Sequence, residues 1–414
     1  MRVYIETYGC TLNKSDSELM ETLLRRDFSI SRKIEDSDVV VINTCSVKTP
    51  TEHKMLRRIW EITRMHRKPI VVAGCLAAAE PLKVRRISPN AVLVYPRSAA
   101  KIKNAVLSAF YGERADYTVY ESKEISRDNC GIIASIPIAE GCTGKCTFCQ
   151  TRIARGPLRS YSAGWVVGEV RRRVEKGARE IRLTAQDVGS FGKDSGEDLP
   201  SLIEKICAIE GEFMVRIGML NPKHLAEDKS LLDIFKHEKV YKFLHLPVQS
   251  GSDKVLSDMG REYTVEEFEK QVDRFRRISE HTTLSTDIIA GYPTESNDDF
   301  ERTIRLIERI RPEVVNISRY SHRLGTPASK LKELPKSTVA ERSSILHKIC
   351  TLIVREKNKE LVGKRVRVLA TCKKEGRTTF YRRAVFEEMK EGEFFNADVV
   401  HATKGALLVV PTLQ

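Results

Sequence analysis

The chain has 414 residues, 41% of them hydrophobic, with 70 Lys and Arg against 56 Asp and Glu, a net charge of +14 and a pI near 9.3. This composition excludes a disordered chain and leaves room for two or three domains, each with its own core. No apolar run approaches the ~20 residues that span a bilayer, and Met1-Arg-Val-Tyr-Ile-Glu6 reads as a strand rather than a signal peptide. A cytoplasmic protein without a membrane partner is expected, and there ten cysteines point to metal ligation rather than disulfides. The basic balance suits a polyanionic partner such as nucleic acid, or simply solvated charged faces.

The first strand runs into Gly9-Cys10, and Ser15-Asp-Ser-Glu18 has the form of a capping box that opens a helix carrying Leu19, Leu23 and Leu24. Asp38–Asn43 is a continuous apolar run, as in a parallel strand buried on both faces, and ends in Thr44-Cys45. A basic helix over about Thr51–His66 precedes the strand Ile70–Ala73, which ends in Gly74-Cys75. A fourth strand is expected at Ala91–Tyr95 and a closing helix at Ala99–Tyr111. Cys10, Cys45 and Cys75 thus each follow a parallel strand, one βα unit apart, and residues in that position gather along one sheet edge. They read either as a three-thiolate site for an iron–sulfur cluster with one iron left open, or as small core residues. The polar stretch Glu113–Ile125 reads as a linker.

Strand–helix alternation resumes at Ile132–Ala139 and leads into Glu140-Gly-Cys-Thr-Gly-Lys-Cys-Thr-Phe-Cys149. The spacing C-x3-C-x2-C lets three thiolates wrap one corner of an iron–sulfur cluster, and Gly141 and Gly144 permit the tight curl. No histidine lies nearby to complete a zinc site, although zinc with a remote ligand stays open. Arg152, Arg155 and Arg159 follow; they either neutralise phosphates or a carboxylate, or form a helix-entry surface. Further strands are expected at Glu180–Thr184, Phe213–Leu220, Lys242–Val248, Thr283–Ala290 and Val314–Tyr320, giving six βα-like units. An α/β barrel or partial barrel fits, with its site at the carboxyl ends of the strands. Gln186, Asp187, Gln249, Ser250 and Asp287 would face that mouth, either to hold a ribose or an amino-acid zwitterion or as strand-end caps. After a helix at about Thr338–Leu361, the strands Arg365–Ala370, Thr378–Arg382, Asp398–Ala402 and Ala406–Val410 suggest a small antiparallel barrel. Its many arginines and lysines suit a nucleic-acid grip, or it serves as a dimerisation or capping module. Cys130, Cys207, Cys350 and Cys372 have no place in either cysteine site.

The central loop resembles the signature of the radical S-adenosylmethionine (SAM) superfamily. Thr7–Glu18, Asn43-Thr-Cys-Ser-Val47, Ala73-Gly-Cys75, Leu244-His-Leu-Pro-Val-Gln-Ser-Gly251, Asp287–Glu295 and Gly325-Thr-Pro-Ala328 extend the likeness over nearly the whole chain. Together they resemble the radical-SAM methylthiotransferases that modify tRNA, and Thr7–Asn13 and Arg152–Gly156 are similar to the archaeal and eukaryotic branch. The resemblance implies an α/β fold in three parts. These are a flavodoxin-like N-terminal domain at 1–112, a partial (β/α)6 radical-SAM barrel at 128–356 and a TRAM-like antiparallel β-barrel at 357–414. It implies a SAM-cleaving [4Fe–4S] cluster on Cys142, Cys146 and Cys149 and an auxiliary [4Fe–4S] cluster on Cys10, Cys45 and Cys75. SAM would meet Gln186, Asp187, Gln249, Ser250 and Asp287. The implied reaction converts N6-threonylcarbamoyladenosine at position 37 of tRNA to its 2-methylthio derivative, with Arg152 or Arg155 pairing the threonyl carboxylate. A reductant protein and a sulfur source would be the further partners. The alternatives are a sibling enzyme acting on an aspartate of a ribosomal protein, the bacterial isopentenyladenosine specificity, and a non-catalytic metal-cluster RNA-binding protein.

Overall fold

The computed structural model of the chain describes residues 1–46, 49–128 and 131–412; Val47 and Cys130 lie outside them. Strands β1 (Arg2–Thr7), β2 (Ser29–Ser31), β3 (Val39–Thr44), β4 (Ile70–Gly74), β5 (Val92–Val94) and β6 (Asp116–Tyr117) form one parallel sheet in the order β2-β1-β3-β4-β5-β6. Its first five strands have the flavodoxin-like order. β3 and β4 are buried at every position because both faces are covered. Val39, Val41 and Val71 pack with Leu19 on one side, while Val40, Ile42 and Val72 pack with Met55 on the other.

Two expectations for this domain are corrected. The helix after β1 is Thr11–Leu24 with Cys10 as its N-cap, so Ser15, Asp16 and Ser17 lie inside it and are buried. Asp16 and Ser17 make tertiary bonds instead of a capping box: Ser17 Oγ accepts from Thr7 Oγ1 at 2.7 Å and from Asn43 Nδ2 at 2.9 Å, and Asp16 Oδ1 accepts from Lys123 Nζ at 2.8 Å. The stretch read as a linker supplies β6, and it carries Lys123, only 1% exposed, into the space between domains.

The second unit begins with β7 (Ile133–Pro137). The short antiparallel pair β8 (Ala139–Glu140) and β9 (Arg159–Ser160) brackets the cysteine loop. Then come β10 (Glu180–Thr184), β11 (Met214–Ile217), β12 (Phe243–His245), β13 (Thr283–Ala290) and β14 (Val314–Arg319). β7-β10-β11 and β12-β13-β14 are parallel sheets, and the bridges Val215–Val240 and Met219–His245 join them into a six-stranded partial barrel with β7 and β14 at its ends. Cys207 and Cys350 belong to its core.

The helix Lys336–Lys359 leads to β15 (Arg365–Cys372), β16 (Glu375–Thr378), β17 (Arg383–Val385), β18 (Phe394–Ala402) and β19 (Leu407–Pro411). They close a five-stranded barrel, antiparallel except where β17 pairs with β19. The expected strand Thr378–Arg382 is mostly a turn, because its aromatic residues face another domain rather than a sheet. Tyr381 sits at φ +68, its ring lies 4.8 Å from both Tyr241 and Phe243, and its hydroxyl donates to Glu180 Oε1 at 2.8 Å. Thr283 Oγ1 donates to the Phe380 carbonyl at 2.5 Å. Glu180, Phe243 and Thr283 each begin a strand, so this barrel covers the amino-terminal end of the partial barrel. No helix among the described residues is long and apolar enough to cross a membrane.

Candidate active site

Cys10, Cys45 and Cys75 follow the carboxyl ends of β1, β3 and β4 and meet around one side chain. Asn13 Oδ1 lies 3.9 Å from both Cys10 Sγ and Cys75 Sγ. Asn13 is itself fixed, donating to the Thr44 carbonyl at 2.7 Å. Gly9 stands at φ +108, and a Cβ there would come within 2.6 Å of Cys45 Cβ, so the close approach of the first two cysteines requires glycine. In the second trio the backbone N–H of Gly144 donates to Cys142 Sγ at 3.2 Å. Gly141 holds φ +77, where a Cβ would strike the Pro157 carbonyl.

Burial pushes the Cys75 and Cys142 thiols up to about 12 each, so without metal both are neutral. A bound metal reverses this, because its positive charge displaces the thiol proton. Among the described residues no three His, Cys, Asp or Glu side chains converge tightly enough for a single ion. A cubane instead spreads three thiolates over three irons, and both trios offer soft sulfur ligands alone, so the residues present fit such clusters.

Each trio has an arginine against it. Arg261 Nη1 donates to Cys146 Sγ at 3.1 Å, and Arg261 Nη2 is held by Asn221 Oδ1 and the Pro247 carbonyl, both at 3.2 Å. A cation donating to a cluster thiolate favours the reduced state. Arg261→Gln is therefore expected to shift the reduction potential of a cluster held on Cys142, Cys146 and Cys149, were one bound there, to more negative values at unchanged iron content, read by an EPR-monitored redox titration. Arg155 lies against the other trio, where its charge acts on Cys75 and Cys10. Its side chain, 1% exposed, donates to Asn13 Oδ1 and Asp16 Oδ2 at 2.7 Å and to Glu140 Oε1 at 2.8 Å. Lys123 joins the same two carboxylates, at 2.8 Å from Asp16 and 2.7 Å from Glu140.

A cavity of ≈ 400 Å³ opens at the carboxyl ends of β12, β13 and β14. Ser46, next to Cys45, stands on one wall, and Phe148 and Cys149 of the central loop on another. Of the residues expected to hold SAM, Gln249 and Asp287 line it. Asp287 Oδ1 accepts from Asn316 Nδ2 at 2.8 Å and lies 3.1 Å from His245 Nε2. Gln249 takes a left-handed φ of +74, a strain that persists only where surroundings enforce it.

The other expected contacts lie elsewhere. Gln186 Oε1 accepts from the Gly141 N–H at 2.7 Å and so anchors the cysteine loop. Asp187 is 1% exposed and consumed by His224 Nε2 at 2.8 Å and the N–H of Asn221 at 3.1 Å. Ser250 is fully buried behind Gly251, accepting from the Ser252 N–H at 3.2 Å. The arginines expected to meet substrate are also placed differently, because Thr151–Arg155 is helical. Arg152 turns outward and donates to the Gly144 carbonyl at 2.8 Å, and Arg155, three residues on, turns into the domain seam. Sequence reasoning missed the two arginines that do line the cavity. Arg323 is paired with Glu52, whereas Arg319, the last residue of β14, makes no ion pair among the described residues.

Residues 2–95 match the family described as Uncharacterized protein family UPF0004, and residues 136–307 match the Radical SAM superfamily. The chain is 44% identical, over 99% of both chains, to the probable threonylcarbamoyladenosine tRNA methylthiotransferase of Pyrococcus horikoshii. It is 35% identical to the threonylcarbamoyladenosine tRNA methylthiotransferase of Drosophila melanogaster, over 83% of this chain and 64% of that one. Among solved structures it shares its fold with the radical SAM methyltransferase TsrM of Kitasatospora setae, at TM-score 0.62 and 14% identity over 79% of this chain and 77% of that one. Full-length identity at that level, over a chain whose cysteines and cavity are arranged as described, shows that it belongs to the threonylcarbamoyladenosine tRNA methylthiotransferase family of radical SAM enzymes.

Proposed function

We propose that the chain converts N6-threonylcarbamoyladenosine in tRNA to its 2-methylthio derivative, in the cytoplasm, using a reductant protein and a sulfur source. The carrying observation is the single cavity with Ser46 beside Cys45 on one wall and Cys149 on another. A substrate carbon placed there is within reach of both cluster sites, and sulfur insertion at an unactivated C–H bond needs that proximity. When bound, two [4Fe–4S] clusters and SAM supply the reducing electron, the carbon radical, the sulfur and the methyl group. Cys142, Cys146 and Cys149 would hold one cluster and Cys10, Cys45 and Cys75 the other. Phe148 and Tyr320 wall the cavity and exclude water, while Gln249 and Asp287 present acceptors suited to a ribose hydroxyl or an ammonium group. The names of the full-length relatives support tRNA over a ribosomal-protein aspartate as substrate.

Mass spectrometry of tRNA nucleosides from cells with and without the gene tests the reaction. Loss of the gene is expected to remove the 2-methylthio derivative and leave its precursor; survival of the derivative would sink the reading. Arg319 is the cation that suits the threonyl carboxylate. A hydrogen bond to a charged group contributes about 1.5–3 kcal/mol, so Arg319→Gln should weaken binding of threonylcarbamoylated tRNA roughly 10- to 100-fold and leave unmodified tRNA little changed. Equal losses for the two tRNAs would assign Arg319 to general RNA contact instead.

A further inference from the structure

The inward layer of an α/β barrel is ordinarily filled by branched apolar side chains. In this partial barrel the layer nearest the C-terminal domain is cationic. Arg182 on β10 and Arg216 on β11 are direct partners in register, and like charges in that relation repel. Arg182 is paired with Glu180 at 2.5 Å. Arg216 has no ion pair or hydrogen bond among the described residues. Its Nε is buried without a partner, and the rings of Phe243 and Tyr381 lie 4.8 and 5.2 Å from its guanidinium. Arg377 of β16 approaches Tyr381 at 5.5 Å, and its Nε is likewise buried and unpartnered.

Arg216 and Arg377 line a cavity of ≈ 370 Å³ between the two barrels, with the exposed Lys404 also on its wall. The carboxylate there, Glu313, is committed to Arg276 at 3.0 Å and Arg382 at 3.9 Å, and Arg383 is tied to Glu375. Burial, with the charges of Arg182 and Arg377 adding to it, pushes the Arg216 guanidinium below its usual range even though Glu180 acts the other way. Arg216 and Arg377 are half-buried, and guanidinium nitrogens buried without partners are costly; a multiply charged anion would relieve that cost. The cavity shares His245 and Asn316 with the reaction cavity, while part of its wall belongs to the C-terminal barrel.

We propose that this second cavity is a phosphate-binding site, with Arg216 and Arg377 as its principal ligands and Lys404 as an outer one. Guanidinium forks match the oxygens of a phosphate, and the flanking rings keep both forks in place. The phosphate comes either from the backbone of the RNA substrate or from a small phosphorylated molecule. The site does not depend on the methylthiolation reading, since phosphate binding is measured without turnover.

The test uses thermal unfolding of the full-length holoenzyme in inorganic phosphate, against potassium chloride at matched ionic strength. Phosphate is expected to raise the unfolding temperature of the wild type in a saturable way and to lose that effect in Arg216→Gln and in Arg377→Gln. The two residues lie on different domains, so a folding defect in one variant does not decide the result. Salt titration of tRNA binding then identifies the source. If it is the RNA backbone, Arg216→Gln lowers the slope of log affinity on log salt by about one unit; an unchanged slope with a lost phosphate response assigns the site to a small phosphorylated molecule. An absent phosphate response in the wild type, or an equal one in wild type and both variants, overturns the proposal.

Discussion

Cys75→Ala is expected to remove half of the bound iron and all methylthiolation while leaving reductive cleavage of SAM intact. Cys75 follows β4 and begins the helix Cys75–Ala79, where it is buried and shares Asn13 with Cys10. Removing one buried sulfur costs the fold about 1 kcal/mol, as for other small truncations, so the domain survives the change. The loss is chemical: two thiolates cannot hold a cubane by three corners. The central trio sits in a separate loop between β8 and β9, anchored by Gln186 and Arg152, and nothing in that anchorage passes through Cys75. Cys146→Ala should show the reverse pattern, with SAM cleavage lost and the auxiliary cluster retained. Iron analysis with product detection separates the two cases. If Cys75→Ala still transfers sulfur at the wild-type rate, the auxiliary site has no part in the reaction.

The placing of Cys10, Cys45 and Cys75 was readable in the sequence because each follows a strand, those before Cys45 and Cys75 being near-continuous apolar runs, and chain direction in a parallel sheet brings such positions to one edge. The six strands of the partial barrel were readable from their regular alternation with helical stretches. What escaped were elements whose patterns answer to another domain. β2 is a three-residue edge strand, Ser-Ile-Ser, too short for a period to show. Lys123 sits in a polar stretch, and nothing local shows that its charge is buried against Asp16 and Glu140. Ser15–Glu18 has the letters of a capping box, yet the N-cap is Cys10, five residues earlier, because Cys10 provides the turn out of β1. For Gln186, Asp187 and Ser250 the strand-end position was right, but residue type does not say whether a polar side chain turns to the mouth or back to a loop N–H. Arg319 and Arg323 carried no signal of their own, being two of 70 Lys and Arg residues in the chain.

Arg155→Met is expected to destabilise the protein by about 3–5 kcal/mol, the usual cost of stranding buried opposite charges. Asp16, Lys123, Glu140 and Arg155 have side chains only 1–4% exposed, so solvent does not screen the loss. The four come from different segments: Asp16 from the helix beside Cys10, Lys123 from the inter-domain stretch, Glu140 from β8 and Arg155 from the helix after Cys149. The network therefore joins the supports of both cysteine trios, and its loss should loosen their mutual placement as well as the fold. Asp16→Asn alone leaves two cations facing Glu140 and should also destabilise. The double variant Asp16→Asn/Arg155→Gln should lose less than the sum of its single changes, because it removes charge from both sides.

The acid dependence has a definite sign. Burial pushes the Asp16 carboxyl up, but the Lys123 and Arg155 charges beside it outweigh that and hold it below the usual carboxylate range. A carboxyl lowered by folding contributes stability that is present above its unfolded pKa and is lost as pH falls through the folded one. Wild-type stability should accordingly fall as the medium is acidified past the ordinary carboxylate range, and Asp16→Asn should flatten that decline. Denaturant unfolding midpoints across pH would show it. Parallel acid limbs in wild type and Asp16→Asn would mean that the ion-pair network does not hold the two cluster domains together.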